Sequence, residues 1–485
     1  MKNKVILALA LIAAGSVAQA QFNETNNLFY HTFRTPQSND LNPAFFPNKN
    51  TFYLRLPGTD FQFGSPLAIS DVVRNQGDTA TVIDITHILN TLTADNRIRF
   101  NSGINLIGFG FKVHNTFFTF NTRMNTSFSF GIPVSVINAV RYGNVDQNNN
   151  PVSELTLLDG DLLNFQSYLE AGIGAGHHFQ PLNLTVGARA KLLYGIANIQ
   201  TDHTRAVINT DSHYDRISAD IYYEIQEASA LGFDTNGHIN TRLSDIGNLS
   251  GANTGFSFDI GARYDLGPFS FSLAINDLSA GIHWKSNVHN ITPKGGHVVV
   301  DFSGQDVTTM LMGGTLNTDS IVSYYQDILN GLEPDKIADA EDYWYSIPTK
   351  INLGASYSFA KMLRAGLLFH GQFDRGLLSK QNKYELDLSG DVVNTFRFNT
   401  TLSLGANLFN WAELIVGSSA VYDGEKLDLF NPGFGIVLTP ASVAQVYFMA
   451  DYLSSIYLVD AKAFNVKFGI NVLIGKGGPG RVAQN

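Results

Sequence analysis

The sequence predicts an all-β chain, an antiparallel transmembrane barrel of about 14 strands, and three observations lead there. The stretch FFTFNTRMNTSFSF at 117–130 sorts its residues by parity. Phe118, Phe120, Met124, Phe128 and Phe130 fall on one side, and Thr119, Asn121, Arg123, Asn125, Ser127 and Ser129 on the other. Successive side chains of a strand point to opposite faces, so one face is apolar and the other polar. The composition then says which face meets what. Of 485 residues only 15% are charged, while 44% are hydrophobic and 12% aromatic. An ordinary soluble surface carries about 25% charged residues, so the apolar face is predicted to meet lipid and the polar face to line the interior. Third, connection lengths alternate. HNT, QPLN, DLGP, AKML, FNW and TPAS, beginning at 114, 180, 265, 360, 409 and 439, join strands tightly, whereas 200–252 and 286–343 are long. Outer-membrane barrels show this asymmetry, with the short turns periplasmic and the long loops extracellular.

The chain opens with Lys2 and Lys4, the apolar run VILALALIAAG, and AQA before Gln21, which marks residues 1–20 as a secretory signal cleaved on export. No Cys follows the cleavage site, which removes a lipid anchor, and the whole chain has none, which excludes disulfides and thiolate metal sites. Residues 21–50, rich in Asn and Pro, form an N-terminal segment that is a candidate luminal plug.

The barrel is assigned to 51–474 and begins with TFYLRLPG. Within it LNLTVGARAKLLYG sets Leu182, Leu184, Val186 and Ala188 against Asn183, Thr185, Arg189 and Lys191. GFSFDIGARY, TFRFNTTLSLGANL and FNVKFGINVLI repeat the alternation. Such segments of about ten residues are weak signals singly and persuasive when repeated. Two segments in the long connections, 81–92 and 319–332, carry apolar residues at helical spacing, with Thr81 and Asp319 as candidate caps. They are read as helices packed at the barrel mouth, with a gate as the alternative. Pro133 suits a first helical position and predicts a short helix over 133–140 that folds back into the lumen. Residues 475–485 are a periplasmic tail without a terminal aromatic, so the signal read by the barrel-assembly machinery is placed inside the last strand, near Phe464 to Ile474.

SNDLNPAFFP, SFGIPVSVINAVRYGN, YLEAGIGAGHHF with LTVGARAKLLYG, and FSFDIGARYDL with SLAINDLSAG resemble an uncharacterised outer-membrane barrel family of Bacteroidota, the domain of unknown function 5723 type. It is similar in plan to the long-chain fatty-acid transporter superfamily, which also includes the PorV shuttle of type IX secretion. The resemblance implies an outer-membrane location, a barrel of similar plan and only loosely a task.

Catalytic chemistry is not legible. Gly172, Gly174 and Gly176 form GIGAG, but a dinucleotide loop needs a following helix and this run continues as strand. Their shared inward parity suits room for a plug, or curvature. Asp211, His213 and Asp215 are read as solvated loop charges, with a surface cation site as the alternative, and His177 and His178 point to opposite faces. No nucleophile, base and orienter form a motif, so no enzyme activity, cofactor or metal is expected. The net charge of −10 argues against nucleic acid.

What remains is the lumen. Parity places Arg123, Arg189, Lys191, Arg263, Arg364, Arg397 and Lys467 inside with Glu170 and Asp259, so the interior leans cationic in an acidic protein. Two readings stay open. The bases pair with Glu170, Asp259 and plug residues such as Asp40 to brace the barrel, or they attract the anionic head of an amphipathic solute. The functions weighed are passage or binding of a hydrophobic or amphipathic small molecule, a PorV-like binding or shuttle role in secretion or envelope assembly, and a structural barrel. The expected partners are outer-membrane lipid and such a solute, and no partner protein is named.

Overall fold

The computed structural model describes residues 27–32, 35–46, 52–76, 80–92, 96–142, 152–210, 216–230, 253–293, 298–303, 338–360, 362–373, 376–378, 396–408, 411–422, 427–440, 443–453 and 460–475. Residues 1–20, expected to be a signal, the segments 211–215 and 319–332, and the tail after residue 475 lie outside them.

Fourteen strands form the wall. They are β1 (Phe52–Gly64), β2 (Arg97–Val113), β3 (Thr116–Gly131), β4 (Leu163–Phe179), β5 (Leu184–Thr210), β6 (Thr254–Leu266) and β7 (Phe269–Trp284). The second half is β8 (Lys350–Ala360), β9 (Leu363–Phe373), β10 (Phe396–Leu408), β11 (Ala412–Tyr422), β12 (Leu427–Leu438), β13 (Ala444–Asp451) and β14 (Ala463–Ile474). Each pairs antiparallel with the next, and β14 pairs with β1 from Phe52↔Ile474 to Gly64↔Ala463. Closure leaves no open edge, which is what lets strands cross lipid with their backbone groups satisfied. Among the described residues no helix is long and apolar enough to cross a membrane.

All six tight links join their strands at the same end of the barrel. His114 and Asn183 take left-handed backbone there, as does Gly267, where the missing Cβ makes that conformation cheap before Pro268. The other end carries the long connections. There β5, 27 residues long, runs far past the roughly 10 residues a spanning strand needs. Its outer half pairs with Glu154–Gly160 and Arg216–Ser229, and the latter with Val288–Ile291 and Val298–Ser303, so a sheet projects beyond the barrel.

Alternation is visible residue by residue. Leu402 is 65% exposed on the outside while Thr401, one residue back, is 1% exposed inside. Outward aromatics stack across strands, Phe109 on Phe120 and Phe111 on Phe118, each at 5.3 Å between ring centroids. Cross-strand pairs of this kind contribute about 0.5–1.5 kcal/mol each.

Two helices depart from expectation. The first is Ile85–Thr91, and its cap is Asp84, whose carboxylate accepts the His87 amide at 2.9 Å. Thr81 cannot cap it, because it is taken into the ladder of a small hairpin opposite Asn75. The helix Val134–Tyr142 does follow Pro133. It packs on Ile85–Thr91 and Glu154–Gly160, and the Ser135 hydroxyl donates to the Leu157 carbonyl. It therefore sits among the long connections and not inside the lumen.

Candidate functional site in the barrel interior

The described residues between Asn27 and Phe46 lie inside the ring of strands. The turn Asn27–His31 and the short helix Ser38–Leu41 are too brief to be stable alone, and their polar groups bond partly within the segment, as Ser38 and Asn39 do, and partly to the wall. The Asn27 amide donates to Asn399 and to Tyr452, and the Tyr30 hydroxyl donates to Ser272 at 2.9 Å. Gln37 and Asn471 exchange amide hydrogen bonds at 2.7 and 2.9 Å. Asn352 donates to the Leu41 carbonyl at 3.0 Å, and Arg364 to that of His31 at 2.8 Å. Apolar anchors sit between these contacts. Leu28 and Phe29 pack on Ile415, Val437, Tyr447 and Met449, Tyr30 and Phe45 on Leu368, and Phe46 on Tyr53, Phe117 and Leu473 beside the short turns.

Wall glycines stand where the segment comes closest. A Cβ at Gly187 would meet the Pro43 carbonyl, at Gly261 the Asn42 side chain, at Gly354 the Tyr30 ring, at Gly366 the His31 ring, and at Gly417 and Gly433 Leu28. The glycines singled out in sequence behave differently. Gly172, Gly174 and Gly176 face inward, but the space over them is filled by wall side chains: Arg189 and Lys191, Thr119, and the Phe117 ring. His177 and His178 bond different threonines, Thr116 and Thr185, at 2.8 and 2.9 Å.

Charge is concentrated at mid-height. Asp40 receives both terminal nitrogens of Arg55 at 2.8 and 2.6 Å, and Arg189 at 3.3 Å. Burial opposes ionisation of Asp40, but the two guanidiniums outweigh it and hold the carboxyl below the usual carboxylate range. Arg189 also lies 3.5 Å from Asp259 and donates to the Asn39 carbonyl. Lys191 contacts Asp259 at 2.9 Å, Asp277, and Glu170 at 3.9 Å, while Lys350 reaches Asp277 at 3.3 Å. Arg123 pairs with Asp60 at 2.8 Å and donates to Asn125 at 2.7 Å, with Glu170 its cross-strand neighbour. Lys467 stands opposite Asp60 in the ladder, its ammonium 5.0 Å from the Phe29 ring.

Six of the nine residues singled out by parity, Arg123, Glu170, Arg189, Lys191, Asp259 and Lys467, thus fall in this one region. Arg263 pairs instead with Asp265 at 2.9 Å beside a short turn, Arg364 holds the His31 carbonyl, and Arg397 is buried at the far end of β10. In this region six cations (Arg55, Arg123, Arg189, Lys191, Lys350 and Lys467) meet five acids (Asp40, Asp60, Glu170, Asp259 and Asp277), so the cationic lean is small here; parity misses the acids Asp60 and Asp277 and the cation Arg55. A register shift between Arg55 and Gly58, at Pro57, flips β1 so that Tyr53 and Arg55 and then Asp60 and Gln62 face inward. In β7, Asp277 and Ser279 both have φ of 59°, which turns Asp277 inward where strict alternation from Asn276 would put it in lipid. The signals were present in sequence as Pro57 and the pair Asn276–Asp277, residues that mark bulges. His31, wedged against Gly366, has its pKa pushed down to about 3 by burial and the nearby Arg364 charge.

The wall itself is interrupted behind the charges. β7 and β8 pair from Phe269↔Tyr357 to Asn276↔Lys350, and β7 then pairs with Tyr343–Ser346 from Gly281 onward. Between these ladders the Asp277 amide donates to Asp259 at 2.9 Å, Thr349 donates to the Asp277 carbonyl at 3.0 Å, and the Ser279 amide to the Leu377 carbonyl at 2.8 Å. Residues 376–378 of the next long connection cover the break. Above it, Trp284, Tyr343, Ile282, Leu193 and Ile347 form a buried apolar cluster.

Several solved structures align with most of the chain at low sequence identity. A deletion mutant of the monoaromatic hydrocarbon channel TodX of Pseudomonas putida aligns at 10% identity and TM-score 0.45, over 94% of this chain and 96% of that one. The CymD monoaromatic hydrocarbon channel aligns at 9% and 0.41, over 94% and 97%. A Pseudomonas aeruginosa FadL homologue aligns at 9% and 0.40, over 95% and 100%. No curated protein matches the chain significantly. One family model spans residues 43–451, from near the end of the luminal segment to the end of β13, and on that match the chain belongs to the family of unknown function DUF5723.

Proposed function

We propose that the protein is an outer-membrane passage or binding site for hydrophobic or amphipathic small molecules, with the segment 27–46 as its removable plug. The observation that carries this reading is how that segment is held. It is seated by hydrogen bonds, one carboxylate, glycine notches and the apolar anchors Leu28, Phe29, Tyr30, Phe45 and Phe46, and joined to the wall covalently only through the chain itself. A brace for a sealed barrel needs none of this reversibility, since wall side chains alone can fill an interior. The local gap between β7 and β8 supports the same reading, because beside the Ile347 amide bonded to the Ala280 carbonyl the Asp277 and Ser279 backbone groups are satisfied by side chains and a covering loop, which can move without unzipping a ladder. On this reading the signal at 1–20 exports the chain, the short turns face the periplasm and the long connections face outward.

Native mass spectrometry of the purified barrel tests it, with decanol and decanoate added as probes after detergent exchange. Saturable binding of either probe is expected. A barrel that carries no small amphiphile and binds neither probe overturns the reading. The projecting sheet supports a second reading, a docking platform in secretion or envelope assembly. Cross-linking from Arg205, on that sheet, in intact outer membranes would then trap one defined protein partner.

A further inference from the structure

Glu170 is the least compensated acid of the charged region. Lys191 lies 3.9 Å away but sits closer to Asp259, at 2.9 Å, and to Asp277. Arg123, the cross-strand neighbour of Glu170, pairs with Asp60 and Asn125 instead. Among the described residues Glu170 therefore has no hydrogen bond and no cation of its own, although its side chain is only 11% exposed. A carboxylate so deep and so weakly paired favours the arrival of a cation.

The next inward residues of β4 toward the long connections are Tyr168 and Gln166. Tyr168 packs against the cluster around Trp284 and Tyr343, and Leu193 of the same cluster stands opposite Glu170 in the ladder. Gln166 is 5% exposed, and its side-chain nitrogen is buried without a hydrogen-bond partner. At two-residue spacing the carboxylate, the aromatic ring and the amide donor line up over roughly 13 Å. Open space begins in front of them. On the flanking β3 the inward Thr119 and Asn121 are buried, whereas Asn125 and Ser127, opposite Tyr168 and Gln166 and further from the short turns, are only half-buried.

The geometry points to a cation subsite at Glu170 that takes the protonated amine head of an amphipathic solute, with Tyr168 beside the head and Gln166 donating to an acceptor on the stem. This rests on the passage reading and specifies a ligand class for it. The ammonium forms a charge-assisted hydrogen bond with the carboxylate, and the electron-rich ring of Tyr168 favours the same charge. An alcohol of the same length makes the apolar contacts alone.

The test compares decylamine with decanol on the full barrel by native mass spectrometry. The wild type should bind decylamine about tenfold more tightly than decanol, the gain expected of one hydrogen bond to a charged group. Glu170→Gln should lose that advantage and bind decanol as before. Unchanged decylamine affinity in Glu170→Gln, with decanol binding intact, overturns the cation subsite while the passage reading stands. Binding of neither probe removes both. Should Glu170→Gln fail to assemble, carbodiimide coupling of decylamine to the wild-type barrel reports instead. The amine should be joined to Glu170, and coupling confined to exposed carboxylates such as Asp339 and Asp342 overturns the proposal.

Discussion

Met124 and Asn125 are neighbours in sequence on opposite faces of β3, Met124 opposite Ile104 and Leu169 on the outside and Asn125 accepting from Arg123 inside. Met124→Arg places a charge in lipid, at a cost of about 2–4 kcal/mol near the midplane, and should prevent insertion. Asn125→Arg keeps the charge in the polar interior but removes the acceptor of Arg123, a loss of about 1–3 kcal/mol, and should still assemble. Recovery of folded barrel from membranes ranks the two, and the reverse order would invert the face assignment. Titration gives a second residue-scale prediction. His31 is a base whose pKa is depressed in the docked plug, and Asp40 an acid whose pKa is depressed there. Both therefore take up protons more readily when the plug is free, so docking is favoured at neutral pH and weakens as pH falls. His31 acts from about pH 6.5 downward and Asp40 from about pH 4, their free-state values. Maleimide labelling of Leu41→Cys, taken relative to the same variant unfolded at each pH so that thiol protonation cancels, should rise below about pH 6 in two stages, and His31→Gln should remove the first. A flat profile would mean that neither group senses docking.

At the scale of elements, the turns and long connections assign sidedness. Asn183 lies in a tight turn with left-handed backbone, and Leu378, 80% exposed, lies in the connection after β9. Because the chain has no native cysteine, Leu378→Cys and Asn183→Cys are clean probes. An impermeant maleimide applied to intact cells should label the first and spare the second, and equal labelling would contradict the strand order. The glycine notches allow a second test at this scale. Gly354→Val drives a side chain into the space of the Tyr30 ring while leaving the ladder bonds of β8 intact. It should unseat the plug, read as fast labelling of Leu41→Cys at neutral pH, without loss of folded barrel. A slow rate would mean that the segment tolerates the crowding by shifting as a body.

For the molecule as a whole, closure of β14 on β1 makes unfolding cooperative, since no strand can leave without exposing two ladders of backbone groups to lipid. The mature chain should fractionate with outer membranes and migrate faster unboiled than boiled on a denaturing gel. Recovery as a soluble periplasmic protein would contradict the membrane reading.

The sequence by itself determined the wall. Strict two-residue alternation over Phe118 to Phe130, Phe396 to Leu408 and Phe464 to Val472 is a local property that lipid outside and polar groups inside both enforce, so strands, faces and tight turns were legible. The helix start was off by three residues, because Thr81 had a better partner across a hairpin that no local pattern announces. Most of the candidate charges were legible too, since Arg123, Glu170, Arg189, Lys191 and Asp259 obey parity. Only the tertiary structure decided what they do. Asp60 and Asp277 turn inward through bulges, Arg263 and Arg364 are drawn to the short-turn end, and Arg55 meets Asp40 across the lumen, from a segment with no periodicity of its own. The reason is physical: alternation tells a side chain which face it occupies, whereas ion pairing depends on the height of each strand around a closed ring, and register shifts and an inserted segment set that height.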